Sequence, residues 1–227
     1  MTTATRDRLG VLVIGQAPRP EIEAELRRVL GGGVAVSLVG ALDGLRREEV
    51  DGLRPADSHD TLFTTLPDGS GVVLSKAEVT KRAQAHLDRL ADAGIAVTLV
   101  NCTGVFEGLA PRGHLVFPSA VLAGLVLGLL PRGRLGVFEP LAEQEAQARA
   151  KWSQGQWQVE VVPLAPGTAG TELDAAARAM ARRRPDLIVL DCMGYGHETK
   201  ARVRAVTGIP TVLAISAAAR AVQELLD

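Results

Sequence analysis

The chain has 227 residues, with 25 basic and 26 acidic side chains and a formal net charge of −1 at pH 7. Apolar residues make up 47% of the sequence and aromatic residues only 3%, so we expect an aliphatic core of the kind found in parallel α/β sheets. The balanced charge, without a basic stripe, excludes a nucleic-acid-binding footprint. The longest apolar run, 120–130, is too short to span a bilayer, which takes roughly 20 residues. We find no secretory signal and expect a cytoplasmic protein without membrane or nucleic-acid partners.

In the first half of the chain, short runs of branched aliphatic residues alternate with amphipathic segments. This pattern predicts strands at 9–15, 34–39, 61–65, 71–75, 96–101 and 115–117, and helices at 20–30, 46–53, 76–93 and 120–130. The segment Pro67-Asp68-Gly69-Ser70 lies between two of these strands and has the composition of a turn. It predicts a β-hairpin over 61–75.

The second half repeats the order of the first. Strands are predicted at 134–140, 158–162, 186–191 and 210–215, and helices at 142–152, 171–184, 200–206 and 217–226. Each half begins with Leu-Gly-Val, at Leu9 and at Leu135, and reaches a strand that ends in a cysteine. We therefore predict an α/β fold of two similar lobes with parallel sheets, with the hairpin inserted in the first lobe. The predicted lobes are 1–117 plus 211–227, and 118–210, with a ligand cleft at their seam.

The two cysteines, Cys102 and Cys192, each follow a run of buried-strand character. The residue just past such a strand lies at its carboxyl end, where open α/β sheets bind ligands. Small or turn-prone residues come next, Thr103-Gly104 in one case and Met193-Gly194-Tyr195 in the other. Turns of this kind expose backbone N–H groups that can hold a carboxylate or an enolate oxygen. The spacing does not fit a zinc site, and a reducing compartment favours thiols over a disulfide.

Two thiols at two strand ends predict acid/base chemistry. Moving a proton at a carbon next to a carboxylate needs a base on one face and an acid on the other, and a thiolate and a thiol can fill these roles without metal or cofactor. A thiolate that adds to a double bond would instead give cis–trans isomerisation. A one-cysteine decarboxylase, or a binding or regulatory protein without turnover, also remains open.

The sequence resembles the AroM family within the aspartate/glutamate racemase superfamily, which includes hydantoin racemases, maleate isomerases and arylmalonate decarboxylases. The matching segments are Ile14-Gly15-Gln16-Ala17-Pro18-Arg19, Arg46-Arg47-Glu48-Glu49-Val50, 71–75, and Leu190-Asp191-Cys192-Met193-Gly194-Tyr195. The resemblance implies the racemase-like fold, and it carries Cys102 and Cys192 onto the two catalytic positions. It also implies that Thr103 and the turn after Cys192 bind the substrate carboxylate. The superfamily's racemases usually have Thr and then His or Glu after the second cysteine, so the substrate stays open.

Other residues complete the predicted site. The predicted substrate-binding set is Gln16, Arg19, Asn101, Thr103, Gly104, Ser119, Met193, Gly194 and Tyr195. In this set Arg19 is expected to pair with a carboxylate through both arms of its guanidinium. Asn101 precedes Cys102, as Asp191 precedes Cys192, and each is expected to orient its thiol or a nearby backbone group. Capping of a loop is an equal alternative for Asp191.

Several polar residues near the predicted strand ends have two interpretations. Ser119 and Ser216 are expected to cap helices, and each remains a candidate anion contact. Glu139, after the first strand of the second lobe, is predicted to face the cleft, and His197 is a loop histidine near Cys192. No role is assigned to His59, His86 and His114.

Two features suggest association of subunits. The predicted helix 120–130 is apolar on nearly every side, so we expect it to be buried at the lobe seam or between subunits. Trp152 and Trp157 are expected to serve in packing or in a subunit contact. We therefore expect a homodimer that binds a small carboxylate.

Overall fold

The computed structural model describes residues 7–57, 60–110, 112–153 and 156–226, so His59 lies outside the described residues. By its internal packing the chain divides into two compact units. Unit 1 comprises Met1–Pro118 and Ala218–Asp227, and unit 2 comprises Ser119–Ala217. Each unit contains one four-stranded parallel sheet flanked by helices.

Unit 1 contains a parallel sheet and an inserted hairpin. Its elements are β1 (Arg8–Val13), α1 (Pro20–Leu30), β2 (Ala35–Gly40), α2 (Arg47–Asp51), β3 (Thr61–Thr65), β4 (Gly71–Ser75), α3 (Lys76–Asp92), β5 (Val97–Asn101) and β6 (His114–Val116). The sheet order is β2-β1-β5-β6, with all neighbours parallel. Strands β3 and β4 pair only with each other, antiparallel, with Thr61 opposite Ser75. The hairpin predicted from the turn composition is confirmed at both strands.

Unit 2 contains the second parallel sheet. The elements are α4 (Pro118–Leu129), β7 (Arg132–Glu139), a short 3-10 helix (Ala142–Gln144), α5 (Glu145–Trp152), β8 (Gln156–Pro163), α6 (Gly170–Arg182), β9 (Leu187–Leu190), α7 (His197–Thr207), β10 (Thr211–Leu213) and α8 (Ala214–Leu226). Helix α4 begins on the last residue of unit 1, and α8 continues from unit 2 into unit 1. The sheet order is β10-β9-β7-β8, again parallel throughout.

The two sheets have related topologies. In each, the first strand along the chain lies next to the strand that precedes the cysteine, β5 in unit 1 and β9 in unit 2. On its other side the first strand pairs with the second strand along the chain, β2 in unit 1 and β8 in unit 2. The cysteine follows the third strand in both sheets. The prediction of two similar α/β lobes with a hairpin inserted in the first is therefore confirmed.

The repeated Leu-Gly-Val has a packing reason. A Cβ on Gly10 in β1 would lie 2.6 Å from Thr98 Oγ1 and 3.1 Å from Leu90 of α3. A Cβ on Gly136 in β7 would lie 2.6 Å from Met180 Sδ of α6. In both sheets glycine thus leaves the space that lets a helix pack closely against the first strand.

The hairpin contributes to the core of unit 1. Leu62 of β3 and Leu74 of β4 are buried in one cluster with Val100 of β5 and Phe106. Cys102 is partly buried against the same cluster. The insertion therefore fixes the surroundings of the first cysteine, in addition to covering the sheet.

Helix α4 exposes part of its apolar surface. Leu122 and Val126 are fully buried, but Leu125, Leu127 and Leu129 are exposed by 38%, 55% and 57%. Within one chain only one stripe of this helix packs, and the expectation that its apolar surface is buried at the lobe seam or between subunits stays a prediction. No helix among the described residues has both the length and the apolar character needed to cross a membrane.

Three helices begin earlier than predicted. Helix α4 starts at Pro118, where the ring suits the first turn, so Ser119 lies inside that turn and the prediction of an N-cap was wrong. His197 is the first residue of α7 and does not lie in a loop. Helix α8 follows β10 directly, so Ser216 lies within it and donates its hydroxyl to the Leu213 carbonyl at 3.0 Å.

Candidate functional site

The first cysteine emerges from β5 into a tight turn. Asn101 is the last residue of the strand, and Cys102 follows it directly. The Gly104 N–H donates to Cys102 Sγ at 3.3 Å. The side chain of Cys102 is half-buried and forms no disulfide. A backbone N–H that donates to sulfur favours the thiolate over the thiol.

The second cysteine lies in the same kind of turn. Strand β9 ends at Leu190, and Asp191 and Cys192 follow. The Gly194 N–H donates to Cys192 Sγ at 3.4 Å, and this side chain is also half-buried and outside any disulfide. Each sulfur therefore accepts a hydrogen bond from the N–H of the glycine two residues ahead. The matched Cys-x-Gly turns are the main feature that the two units share at these strand ends.

The position of each turn in its sheet is also matched. Cys102 follows β5, which lies next to β1, and Cys192 follows β9, which lies next to β7. In both cases the first and third strands of the sheet are neighbours, and the order of strands reverses there. Such a topological switch point is where open α/β sheets bind ligands. Each cysteine thus stands where its own sheet would hold a small molecule.

The surroundings of the two sulfur atoms differ. The position of a Cβ on Gly104 is 3.1 Å from Leu62 Cδ2, 3.4 Å from Cys102 Sγ and 3.6 Å from Phe106 Cε2. Apolar side chains therefore border the first thiol. The second thiol follows the buried carboxylate of Asp191. An apolar side chain borders the second thiol as well, since a Cβ on Gly194 would lie 3.1 Å from Pro166 Cβ and 3.6 Å from Cys192 Sγ. The two turns therefore differ mainly in the residue before the cysteine.

Gln16 and Arg19 follow β1 and bind loops of unit 1. Gln16 Nε2 donates to the carbonyls of Leu42 and Leu45 at 3.2 and 2.8 Å. The Arg19 side chain is 10% exposed; it donates to the Thr65 carbonyl at 2.7 Å and pairs with Glu21. Both side chains thus hold the loops and the hairpin next to the strand end, and their role as carboxylate ligands stays a prediction.

Asn101 and Thr103, on either side of Cys102, are both buried. Asn101 pairs with Val13 across the β5–β1 ladder, which brings the end of β5 beside the Gln16 loop. Among the described residues, Asn101 Oδ1 has no hydrogen-bond partner. Leaving a buried amide oxygen unpaired costs about 1–3 kcal/mol. An N–H or O–H donor on a bound molecule would satisfy it.

In the second turn, Met193 and Tyr195 are buried, whereas Gly194 is exposed. The Tyr195 hydroxyl donates to the Leu164 carbonyl at 2.5 Å. Burial, and then electrostatic interactions with the nearby acidic groups of Cys192, Glu139 and Asp191, raise the pKa of Tyr195 well above its ordinary value. The phenol therefore stays protonated and ties the second turn to the end of β8. Substrate contacts by this turn remain a prediction.

Glu139 and Asp191 form a buried acid pair. They follow the paired residues Phe138 and Leu190 of β7 and β9, and the Asp191 N–H donates to the Phe138 carbonyl at 3.1 Å. Burial first, and then the charge of Asp191 and a hydrogen bond to it, raise the pKa of Glu139 well above its ordinary value. Above the pH at which a free carboxyl ionises, Glu139 therefore favours its protonated form, whose O–H donates a hydrogen bond to the Asp191 carboxylate.

Sequence reasoning missed the partners of Asp191. Lys151 Nζ donates to both Asp191 oxygens at 2.8 and 2.7 Å, and Trp152 Nε1 donates to Oδ2 at 2.7 Å. Trp152 also contacts the ring of Trp157 edge to face, with centroids 5.9 Å apart, as the packing interpretation predicted. The available signal was Asp191 itself, since an aspartate directly after a buried strand needs a cation.

No group of three or more His, Cys, Asp or Glu side chains suited to a metal ion occurs within residues 7–57, 60–110, 112–153 and 156–226. Ser119 lies in the first turn of α4, and its role as a carboxylate contact stays a prediction.

Comparison with solved structures places the fold among racemases and isomerases. The chain is similar to glutamate racemase from Francisella tularensis in complex with D-glutamate, with a TM-score of 0.60, 14% identity, and coverage of 97% of this chain and 81% of that chain. It is similar to allantoin racemase from Klebsiella pneumoniae, with a TM-score of 0.62, 14% identity, and coverage of 96% and 86%. It is also similar to a cysteine-to-serine mutant of maleate cis-trans isomerase from Nocardia farcinica with a covalently bound succinylcysteine intermediate, with a TM-score of 0.61, 18% identity, and coverage of 97% and 92%.

At these identities the likeness shows the Asp/Glu racemase-like fold alone. No curated protein matches the sequence. The family model described as AroM protein matches residues 9–226, nearly the whole chain. The protein therefore belongs to the AroM family, and it has the fold of the Asp/Glu racemase-like enzymes.

Proposed function

We propose that the protein is a cofactor-independent racemase or isomerase of a small carboxylate, with Cys102 and Cys192 as its acid/base pair. The observation that carries the proposal is the matched Cys-x-Gly turn at the switch point of each sheet. The two racemases and the isomerase described above, which share the fold, support the reaction class.

In the proposed reaction one thiolate removes the proton from the carbon next to the carboxylate and becomes a thiol. The other thiol donates a proton to the opposite face and becomes a thiolate, so the enzyme's net charge does not change. Negative charge builds on the substrate carboxylate as the carbon loses its proton. Backbone N–H groups of the two turns, together with Arg19, are the proposed donors that stabilise it.

The unpaired oxygen of Asn101 supports a narrower substrate class. Because Asn101 Oδ1 is buried next to Cys102 and accepts no hydrogen bond from the described residues, a substrate with an N–H or O–H group near the reacting carbon would satisfy it. We propose amino, ureido or hydroxy acids over plain dicarboxylates. Sites that hydrogen-bond a substrate N–H or O–H discriminate strongly against analogues that lack it.

A second candidate uses a single cysteine. Cys192 follows an aspartate that is paired with Lys151, whereas Cys102 follows the neutral Asn101, and this difference favours different roles for the two thiols. In this alternative Cys192 alone adds to a double bond, or protonates a carbon after loss of carbon dioxide. The succinylcysteine captured in the Nocardia isomerase is the kind of adduct that such a reaction would form.

Heavy-water exchange tests the proposal. Amino acids, dicarboxylates, hydantoins and shikimate-type acids are incubated in deuterium oxide with the protein, with C102A and with C192A. We expect the protein to replace the α-hydrogen of a substrate with deuterium and to invert the centre. Each alanine variant should lose inversion by about 10³-fold, the order that one acid or base contributes.

Other outcomes separate the alternatives. Inversion that survives in C102A but not in C192A contradicts the two-cysteine proposal and favours the one-cysteine reaction, and conversion of maleate lost only in C192A favours the adduct. A compound that raises the melting temperature without exchange or conversion indicates a binding protein.

A further inference from the structure

Unit 2 contains a buried ionic group directly beside Cys192. The Asp191 side chain has no exposed surface, and Lys151 at the end of α5 is 19% exposed. The Lys151 ammonium contacts both oxygens of the carboxylate, and the Trp152 indole donates to one of them. Glu139 from β7 supplies a further hydrogen bond to the same carboxylate. We refer to Lys151, Asp191 and Glu139 as the Lys-Asp-Glu group.

The group joins three strand ends of one sheet. Glu139 ends β7, Asp191 follows β9, and the Leu164 N–H after β8 donates to the Glu139 carbonyl at 2.7 Å. Cys192 is the residue after Asp191, so its turn begins directly at the member of the group that follows β9. The Tyr195 phenol lies within electrostatic reach of Glu139, Asp191 and Cys192 together.

The charges of the group balance. Lys151 carries one positive charge, Asp191 one negative charge, and Glu139 keeps its proton and is neutral. Buried ion pairs add little stability compared with apolar side chains of the same volume. Stability alone therefore does not account for placing three ionisable groups here, whereas control of the local charge does.

We propose that Lys151, Asp191 and Glu139 are positioning residues for Cys192, which fix the start of its turn and keep the net charge of the adjoining side chains at zero. This inference builds on the proposed role of Cys192, but it concerns ionisation of the thiol and does not depend on turnover. Removing the lysine charge would leave Asp191 negative and disfavour the thiolate. Removing the aspartate charge would leave Lys151 positive and favour the thiolate.

Alkylation rates measured against pH test the proposal. Iodoacetamide modification of each cysteine is followed by peptide mass spectrometry in the protein, K151M and D191N. For Cys192 we expect the pH midpoint to rise by about one pH unit in K151M and to fall by about one pH unit in D191N. Cys102, in the other unit, serves as the control within the same molecule and should keep its midpoint.

A purely structural role predicts a different result. If the group only supports the fold, both variants would loosen the turn and move the Cys192 midpoint in the same direction, or leave it unchanged; either result overturns the proposal. K151R keeps the positive charge, so its Cys192 midpoint should lie closer than that of K151M to the midpoint of the protein without substitutions.

Three further variants complete the test. If the single variants fail to fold, the double variant K151M/D191N is used, because it loses both charges of the pair at once. Its Cys192 midpoint should stay close to that of the protein without substitutions. A large shift in the double variant contradicts charge balance.

Other ionisable groups also lie close to Cys192 in the sequence. Tyr195 is within its turn, and His197, Glu198 and Lys200 follow near the start of α7. H197Q and K200M should leave the opposite shifts in place.

Because the readout is thiol ionisation, the result is separate from the heavy-water experiment. A protein without turnover would still show the opposite shifts if the Lys-Asp-Glu group controls Cys192. If the protein is a racemase but its Cys192 midpoint changes in neither variant, the proposed function stands and this inference is wrong.

Discussion

Replacing Lys151 with methionine is expected to lower the free energy of unfolding by about 3 kcal/mol, the lower end of what breaking a buried ion pair costs. The Asp191 carboxylate is fully buried, and Lys151 is its cationic partner at both oxygens. Methionine has the length to fill the space but removes the cation that contacts both carboxylate oxygens. Urea denaturation at pH 7, with the midpoint and slope compared, measures the change.

Lys81→Met provides the matched control. Lys81 is 70% exposed and pairs with Glu78 one helical turn away on α3. Exposed pairs of this kind contribute little, since solvent screens them. We expect no measurable change in unfolding for K81M, and equal losses in the two variants would contradict a special role for Lys151.

Glu139→Gln is expected to change how stability depends on pH. Burial and Asp191 raise the pKa of Glu139 well above its ordinary value in the folded protein. Above the unfolded pKa of about 4.3, the folded state therefore binds one more proton than the unfolded state. The free energy of unfolding must then fall as the pH rises. The fall ends once the pH has passed the pKa of Glu139 in the folded protein.

The expected size of this effect is large. Within that window the protein should lose about 1.4 kcal/mol per pH unit relative to E139Q, which has no proton to release at this position. Between pH 5 and pH 7 the difference grows by up to about 2.7 kcal/mol. Unfolding curves of both proteins at half-unit intervals of pH measure it, with E78Q on the exposed face of α3 as the control for net charge. If the difference in unfolding free energy between the two proteins does not change with pH, or grows as the pH falls, Glu139 is ionised in the folded protein and the prediction is wrong.

Much of the fold could be predicted because its signals are local. The hairpin was predicted at both strands, since alternating apolar residues flank a turn of fixed composition at 67–70. The two sheets followed from the repeated Leu-Gly-Val, whose glycines turned out to admit a packed helix in both units. The family was identified from segments that continue through both cysteine turns, and the family match over 9–226 confirms it.

Helix starts were harder to predict. Ser119, His197 and Ser216 lie inside helices that begin without a side-chain cap. Helix α4 begins at a proline, α7 begins after a glycine, and α8 continues directly from a buried strand. In such places the packing of the preceding strand sets the boundary. The apolar composition of α4 likewise does not say how many of its faces pack within one chain.

The partners of polar side chains were not available from local patterns. Lys151 and Asp191 are 40 positions apart, and only the pairing of β7 with β9, together with the packing of α5, brings them together. Arg19 was predicted as a substrate ligand from its place after the first strand. Its contacts with Thr65 and Glu21 depend on where the hairpin folds back. Contacts between distant segments require the topology first.

The central claim, that Cys102 and Cys192 act on one small molecule, can be tested without knowing the substrate. The folded protein is treated with α,α′-dibromo-m-xylene, a small reagent with two thiol-reactive carbons, and analysed by intact mass and peptide mapping. The account predicts one reagent per chain, bridging Cys102 to Cys192, and loss of the bridge when either cysteine is alanine or the protein is unfolded in urea. Two separate additions on one chain, one at each cysteine, would contradict it.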